Sequence, residues 1–188
     1  GDNIFHGNEF INQLKKISGD NAGATIFAYP VGDPERYGIV EFSKNGKIVG
    51  IEEKPTSPKS KYAITGLYFY DKTVIEKAKQ IKPSVRGELE ISSINEIYLK
   101  EGNLKLEIMG RGMAWLDTGT FDSLHQASSY IRTLQLRQGF KIACPEEIAW
   151  RNKWINDEEI CKIASAKLKS GYGEYLLELI KNKNLNIN

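Results

Sequence analysis

The chain has 188 residues, 40% of them hydrophobic and 27% charged, with a formal net charge of +2. That length supports one domain with a sizeable core and is short for two. The small net charge and scattered lysines leave no electrostatic footprint for nucleic acid, and no apolar run approaches the ~18 residues a membrane helix needs.

The sequence opens Gly1-Asp2-Asn3-Ile4-Phe5, without a methionine, on a turn of the kind that follows a buried strand. A cut chain or a partial sequence is the expectation. Phe10, Ile11, Leu14 and Ile17 recur at helical spacing and predict a helix over 8–18. Ala24 to Val31 reads as a strand, ended by Gly32-Asp33-Pro34. Gly38 to Phe42 and Ile48 to Glu53 read as a hairpin, because Asn45-Gly46 between them tolerates positive φ. Pro55 and Pro58 mark a loop before a strand from Tyr62 to Tyr70. Short helices follow over 73–78 and 91–100, the second closed by Gly102. Strands are expected over 105–109 and 114–116. Ser123 to Arg137 reads as the longest helix, with Leu124, Ala127, Ile131 and Leu134 on one face and Gly139 beyond its end. Helices over 158–169, with Asp157 as N-cap, and over 172–181 complete the chain, and residues 181–188 read as a frayed tail. Strands mixed with helices indicate an α/β domain ending in a helical part.

Five segments concentrate polar side chains beside glycine or proline at the ends of these elements: 1–3, 34–38, 52–55, 86–90 and 115–120. In open α/β sheets, ligands bind at the carboxyl ends of strands. Asp2 and Asp117 each precede a turn. Brought together they would repel, a conflict that Mg2+ held by one or two carboxylates and phosphate oxygens removes. Each aspartate also fits a helix cap, and spacing does not decide. Lys54, fixed by Pro55, suits a phosphate, and Glu53 beside it can accept from sugar hydroxyls, although the pair also fits a solvated strand end. Arg86 beside Gly87 can clamp a phosphate through two parallel hydrogen bonds or stand as a surface charge. Gly38 after Tyr37 lets a sugar approach the backbone, and as a turn it needs no ligand. Cys144 and Cys161 lack metal-spaced partners and read as reduced and packed, which fits a cytoplasmic protein. His6 and His125 are too far apart for a metal pair. Trp115, Trp150 and Trp154 read as core or interface residues.

Taken in order, the segments GDNIF (1–5), DPERYGIVEF (33–42), IEEKPTSPKSKYAITGLYFYD (51–71), RGELEI (86–91), GRGMAWLDTGTFDSL (110–124) and RQGFKIACPEEIAW (137–150) resemble the glucose-1-phosphate thymidylyltransferases of the short bacterial type. The resemblance runs to about residue 178. It implies a mixed, mostly parallel, Rossmann-like nucleotidyltransferase sheet flanked by helices. The whole chain would be a single partial domain, with the sugar-phosphate and metal side over 1–120 and a helical interface part over 121–188. It implies dTTP and glucose 1-phosphate as substrates, Mg2+ as cofactor, supply of dTDP-glucose to deoxysugar or dTDP-rhamnose formation, and a cytoplasmic homotetramer.

Carried over by residue, the resemblance implies Asp2 and Asp117 as metal ligands and Glu53 on the sugar hydroxyls. It implies Lys54 and Arg86 on the sugar phosphate, with Lys54 also catalytic. Tyr37, Gly38 and the strand from Ile64 to Tyr68 would shape the glucose pocket. Gly7, Arg111 and Glu147 fall in segments resembling a regulatory nucleotide site at a subunit interface, and they also suit packing and capping. The family's glycine-rich triphosphate loop is expected upstream of Gly1, so this chain alone is expected to be inactive. Three other readings remain: a UTP-using sugar-1-phosphate uridylyltransferase, whose two-domain version lacks support without a hexapeptide-repeat tail, a non-catalytic binding or oligomerisation module, and a degraded or incomplete gene, which predicts poor folding.

Overall fold

The structure is a computed structural model and describes residues 2–8, 10–19 and 22–183. Gly1 of the opening turn and 184–188 of the expected tail lie outside the described residues. The chain forms two compact units, Gly1–Ala127 and Ser128–Asn188.

In the first unit, β1 (Asn3–Gly7) is followed by α1 (Phe10–Ser18), β2 (Ala24–Pro30), β3 (Gly38–Phe42), β4 (Ile48–Glu53) and β5 (Tyr62–Tyr70). Then come α2 (Val74–Ala78), α3 (Ile91–Lys100), β6 (Leu104–Ile108), β7 (Met113–Asp117) and α4 (Phe121–Gln138), within which the division between the units falls. Five strands form a sheet in the order β4-β3-β5-β2-β6, and β1 pairs with β7 in a separate two-stranded ribbon.

The α/β class and the mixed sheet agree with the expectation, but the described pairings are mainly antiparallel, with β2–β6 the parallel pair. The short links explain this. Asn45-Gly46 closes β3 onto β4, with Gly46 at φ +74° and its N–H on the Ser43 carbonyl. A link that short can join only antiparallel strands, whereas a parallel neighbour needs a crossover such as the helical stretch before β6.

β2 is buried along Ala24–Ala28, with Ile26 and Phe27 fully covered on opposite faces. Such a two-sided apolar run belongs at the middle of a sheet. Ile26, Ala28, Val40, Ile51 and Ile64 form one core cluster, and Ile17, Phe27, Met109 and Met113 another. β1 is a strand where only a turn was expected. Its register with β7 brings Asn3 opposite Asp117 and Phe5 opposite Trp115. On α4, Ala127 is fully buried while Leu124 is half exposed, so the expected apolar face is only partly covered.

The second unit contains the rest of α4, then α5 (Pro145–Arg151), α6 (Asp157–Ser165) and α7 (Tyr172–Lys181), and the last three pack around Cys144, Ile160, Ala164, Leu176 and Leu179. Both cysteines are free, Cys144 buried and Cys161 partly so. Trp115 is buried, as expected for a core residue, whereas Trp154 is 74% exposed. α5 was not expected, although Pro145 at its first turn, Glu146 and Glu147 behind it and Arg151 in the last turn all favour a helix. The N-cap of α6 is Asn156, not Asp157: its side chain accepts from the Glu159 N–H while Glu159 accepts from its own. Asp157 instead accepts from Trp150 Nε1 at 2.8 Å. α6 also stops at Ser165 rather than Lys169. Gly173 of α7 comes so close that a Cβ there would lie 2.1 Å from the Ala164 carbonyl oxygen, and Gly171, at φ +71°, makes the left-handed turn that leads into α7.

Candidate active site

The hairpin register determines one wall of the site. Gly38 at the start of β3 lies opposite Glu53 at the end of β4. A Cβ on Gly38 would sit 2.8 Å from Glu53 Oε2 and 3.0 Å from Ser92 Oγ, so glycine is what leaves this carboxylate its place. Ser92, buried in the first turn of α3, donates a short hydrogen bond to Glu53 Oε2. Next along the chain, Lys54 has φ +46°, a left-handed conformation that costs a residue with a Cβ roughly 1–2 kcal/mol. Its N–H is held by the Tyr37 carbonyl at 3.0 Å. Its ammonium has no ion pair among the described residues and is exposed. Backbone strain of this kind collects at ligand-binding positions.

These residues line a cavity of about 530 Å3 in the first unit. Alternate residues of β5, Ile64, Gly66 and Tyr68, face it, as the two-residue period of a strand requires. Tyr68 is desolvated and close to the charges of Glu53 and Asp2, which together push its phenol up to about 12. Trp115 forms another wall, its ring 5.1 Å from that of Tyr37 and its Nε1–H donating to Asn3 Oδ1 at 2.6 Å. The same Asn3 oxygen accepts from the Gly66 N–H at 3.2 Å, tying β1 to β5.

The strand pairing sets the two aspartates on neighbouring strands, with Asp117 but not Asp2 among the residues lining the cavity. Thr118 donates its N–H to the Asp2 carbonyl at 2.7 Å and its hydroxyl to the same oxygen at 2.9 Å, so Asp2 and Asp117 end adjacent strands. Asp2 Oδ1 accepts from Asn3 Nδ2 at 2.9 Å. Asp117 lines the cavity, with Oδ1 accepting from the Gly119 N–H at 3.3 Å and Oδ2 3.4 Å from Arg36. Neither caps a helix through its side chain. Two hard carboxylate oxygens on neighbouring strand ends are the donor set that Mg2+ takes when phosphate supplies the rest. Among the described residues, no group of three or more histidine, cysteine, aspartate or glutamate side chains is placed to hold a metal ion by itself.

Other expected residues fall elsewhere. Arg86 does not line the cavity: it is paired with Glu88 at 3.0 Å and Glu90 at 3.5 Å on its own loop. Gly7 closes β1 opposite Met113, where a Cβ would strike the Met113 sulfur. Arg111, exposed just before β7, has no ion pair among the described residues. Glu147, in the second unit, accepts from Arg151 at 2.8 Å and from the Tyr175 hydroxyl. Asn3, Arg36 and Ser92 were not singled out. Asn3 and Arg36 belong to segments noted for their polar density, whereas the serine at the start of a helix carried no signal of its own.

A model of the nucleotidyl transferase family matches residues 1–133. The chain belongs to that family. It is 56% identical over 181 residues to the glucose-1-phosphate thymidylyltransferase of Neisseria meningitidis serogroup A, covering 96% of this chain and 63% of the relative. It is 54% identical to the Mycobacterium tuberculosis protein of the same name, covering 96% and 62%. The chain therefore spans less than two thirds of the length of these curated relatives. A Bacillus anthracis crystal structure described as a glucose-1-phosphate thymidylyltransferase in complex with a sucrose superposes with a TM-score of 0.59 at 43% identity, over 69% of this chain and 51% of that one. A UDP-glucose pyrophosphorylase complexed with UDP-glucose superposes with a TM-score of 0.57 over 70% and 54%, and at 18% identity it supports the fold alone. No helix of the described residues is long and apolar enough to cross a membrane.

Proposed function

We propose that this chain forms the sugar-phosphate and metal side of a glucose-1-phosphate thymidylyltransferase. The observation that carries the reading is Glu53 and Lys54 at the end of β4, opposite the bare backbone of Gly38, in a cavity that also contains Asp117. The similarity to proteins of that name over nearly the whole chain supports it.

In this reading the pyranose lies against Gly38, Ile64 and Tyr68, and Glu53, oriented by Ser92, accepts hydrogen bonds from its hydroxyls. Lys54 supplies the charge for the sugar phosphate. A phosphate oxygen of glucose 1-phosphate attacks the α-phosphorus of dTTP. The new O–P bond forms as the bond to the β-phosphate oxygen breaks, and pyrophosphate leaves. Such a transfer asks the protein for alignment and charge neutralisation rather than a covalent nucleophile. Asp2 and Asp117 would hold Mg2+, which when bound offsets the charge of the triphosphate. Arg86 would reach the phosphate only by exchanging Glu88 and Glu90 for it. The reading extends to a cytoplasmic homotetramer that supplies deoxysugar nucleotides, with Gly7, Arg111 and Glu147 near a regulatory nucleotide site.

The test is pyrophosphate release by the complete protein with glucose 1-phosphate and Mg2+, using dTTP and UTP in parallel. Release with dTTP, dependent on the sugar phosphate, is expected. Preference for UTP would move the protein to the uridylyltransferases, and no release with either would leave a binding module.

A further inference from the structure

Arg36 is not part of the reading above, yet it links the two halves of the site. It ends the 3-10 turn Pro34–Arg36 that leads into Tyr37 and β3. One terminal nitrogen is 2.8 Å from Asp33 Oδ2 and the other 3.4 Å from Asp117 Oδ2. Its guanidinium carbon stands 5.3 Å from the centre of the Tyr37 ring, which in turn packs on Trp115. Asp33 thus anchors one end of the fork while the other end rests on the carboxylate assigned to metal. The side chain is 41% exposed, so releasing Asp117 returns its nitrogen to water rather than stranding it.

We infer that Arg36 is the resident counter-ion of Asp117, neutralising it without a divalent cation and yielding it when one arrives. The inference rests on the proposed role of Asp2 and Asp117 as metal ligands. Two carboxylates on adjacent strand ends repel, and a nearby guanidinium relieves the conflict. A divalent cation on Asp117 Oδ2 would meet the guanidinium as a like charge, so the two occupants exclude one another. Arg36 also lies over Tyr37, so the exchange takes place beside the wall of the sugar pocket. Arg36 is therefore a positioning residue for Asp117.

Breaking a partly exposed ion pair is a modest cost, equivalent to about a two- to fivefold change in an equilibrium constant. Mn2+ binding to the complete protein without nucleotide, followed by electron paramagnetic resonance, reads it directly. Arg36→Met is expected to bind Mn2+ about two- to fivefold more tightly than wild type, Arg36→Lys to stay within twofold of it, and Asp117→Asn to lose the site. Tightening is a sign that structural damage would not produce, and Arg36→Gln serves where the methionine variant does not fold. Unchanged or weaker binding by Arg36→Met, with the site still lost in Asp117→Asn, overturns the inference and leaves the metal assignment standing. Tightening of Arg36→Lys equal to that of Arg36→Met overturns it too. Undiminished Mn2+ binding by Asp117→Asn removes the metal assignment and the inference with it.

Discussion

Gly38→Ala perturbs the cavity at a single atom. The new Cβ would stand 2.8 Å from Glu53 Oε2 and 3.0 Å from Ser92 Oγ, both too close for undisturbed contact. Ser92 is buried on a helix, so the carboxylate, at the end of a flexible side chain, is the group that moves. Gly38 lies in a strand and outside the left-handed region, so alanine adds no backbone strain and stability changes little. Moving Glu53 costs the sugar a hydrogen bond to a charged acceptor, worth about 1.5–3 kcal/mol. At 1.4 kcal/mol per tenfold, affinity for glucose 1-phosphate is expected to fall about 10- to 150-fold. Isothermal titration of the complete protein with glucose 1-phosphate measures this, and a thermal melt confirms the fold. A folded variant that binds within twofold of wild type would refute the assignment of Glu53 to the sugar.

Three further residues, two in the site and one in the second unit, carry measurable consequences. Ser92→Ala removes the donor that fixes Glu53, and about a tenfold rise in KM for the sugar phosphate is expected with kcat less affected, while Ser92→Thr restores part of it. Lys54→Gly and Lys54→Ala both lose the phosphate charge, but the glycine variant is expected to be the more stable by about 1 kcal/mol in urea unfolding. Only glycine accepts φ +46° without cost, so equal stabilities would contradict the strain argument. Glu146 is held down to about 2 by hydrogen bonds from Lys167 and Tyr172. A carboxylate with a lowered folded value adds stability above its free value near 4.5 and loses it as pH falls toward about 2. Glu146→Gln is therefore expected to flatten the loss of stability between pH 4.5 and 2, as read by helical circular dichroism, and an unchanged acid profile would oppose this.

Local signals made much of the first unit legible. Asn45-Gly46 marks the β3–β4 hairpin, but the facing of Gly38 and Glu53 also needs a one-residue shift of register between Phe42–Ile48 and Glu41–Gly50, which no residue pattern announces. What failed depended on distant partners. β1 is five residues long, and its partner β7 lies more than a hundred residues away, so nothing local marks Asn3–Gly7 as a strand. The placing of Asp2 on the strand next to that of Asp117 follows from the same pairing and is not legible from spacing. Arg86 is paired with Glu88 and Glu90 on its own loop, so its proposed place at the phosphate requires those pairs to open. The end of α6 was misjudged because it depends on the close approach of Gly173 to Ala164, a packing fact with no periodicity.

The account stands or falls on what occupies the cavity beside Glu53. A crystal structure of the complete protein with glucose 1-phosphate is the most direct test. The expected result is a pyranose against Gly38 and Tyr68, with its hydroxyls on Glu53 and its phosphate at Lys54. A sugar phosphate bound elsewhere, with Glu53 and Lys54 untouched, would contradict it.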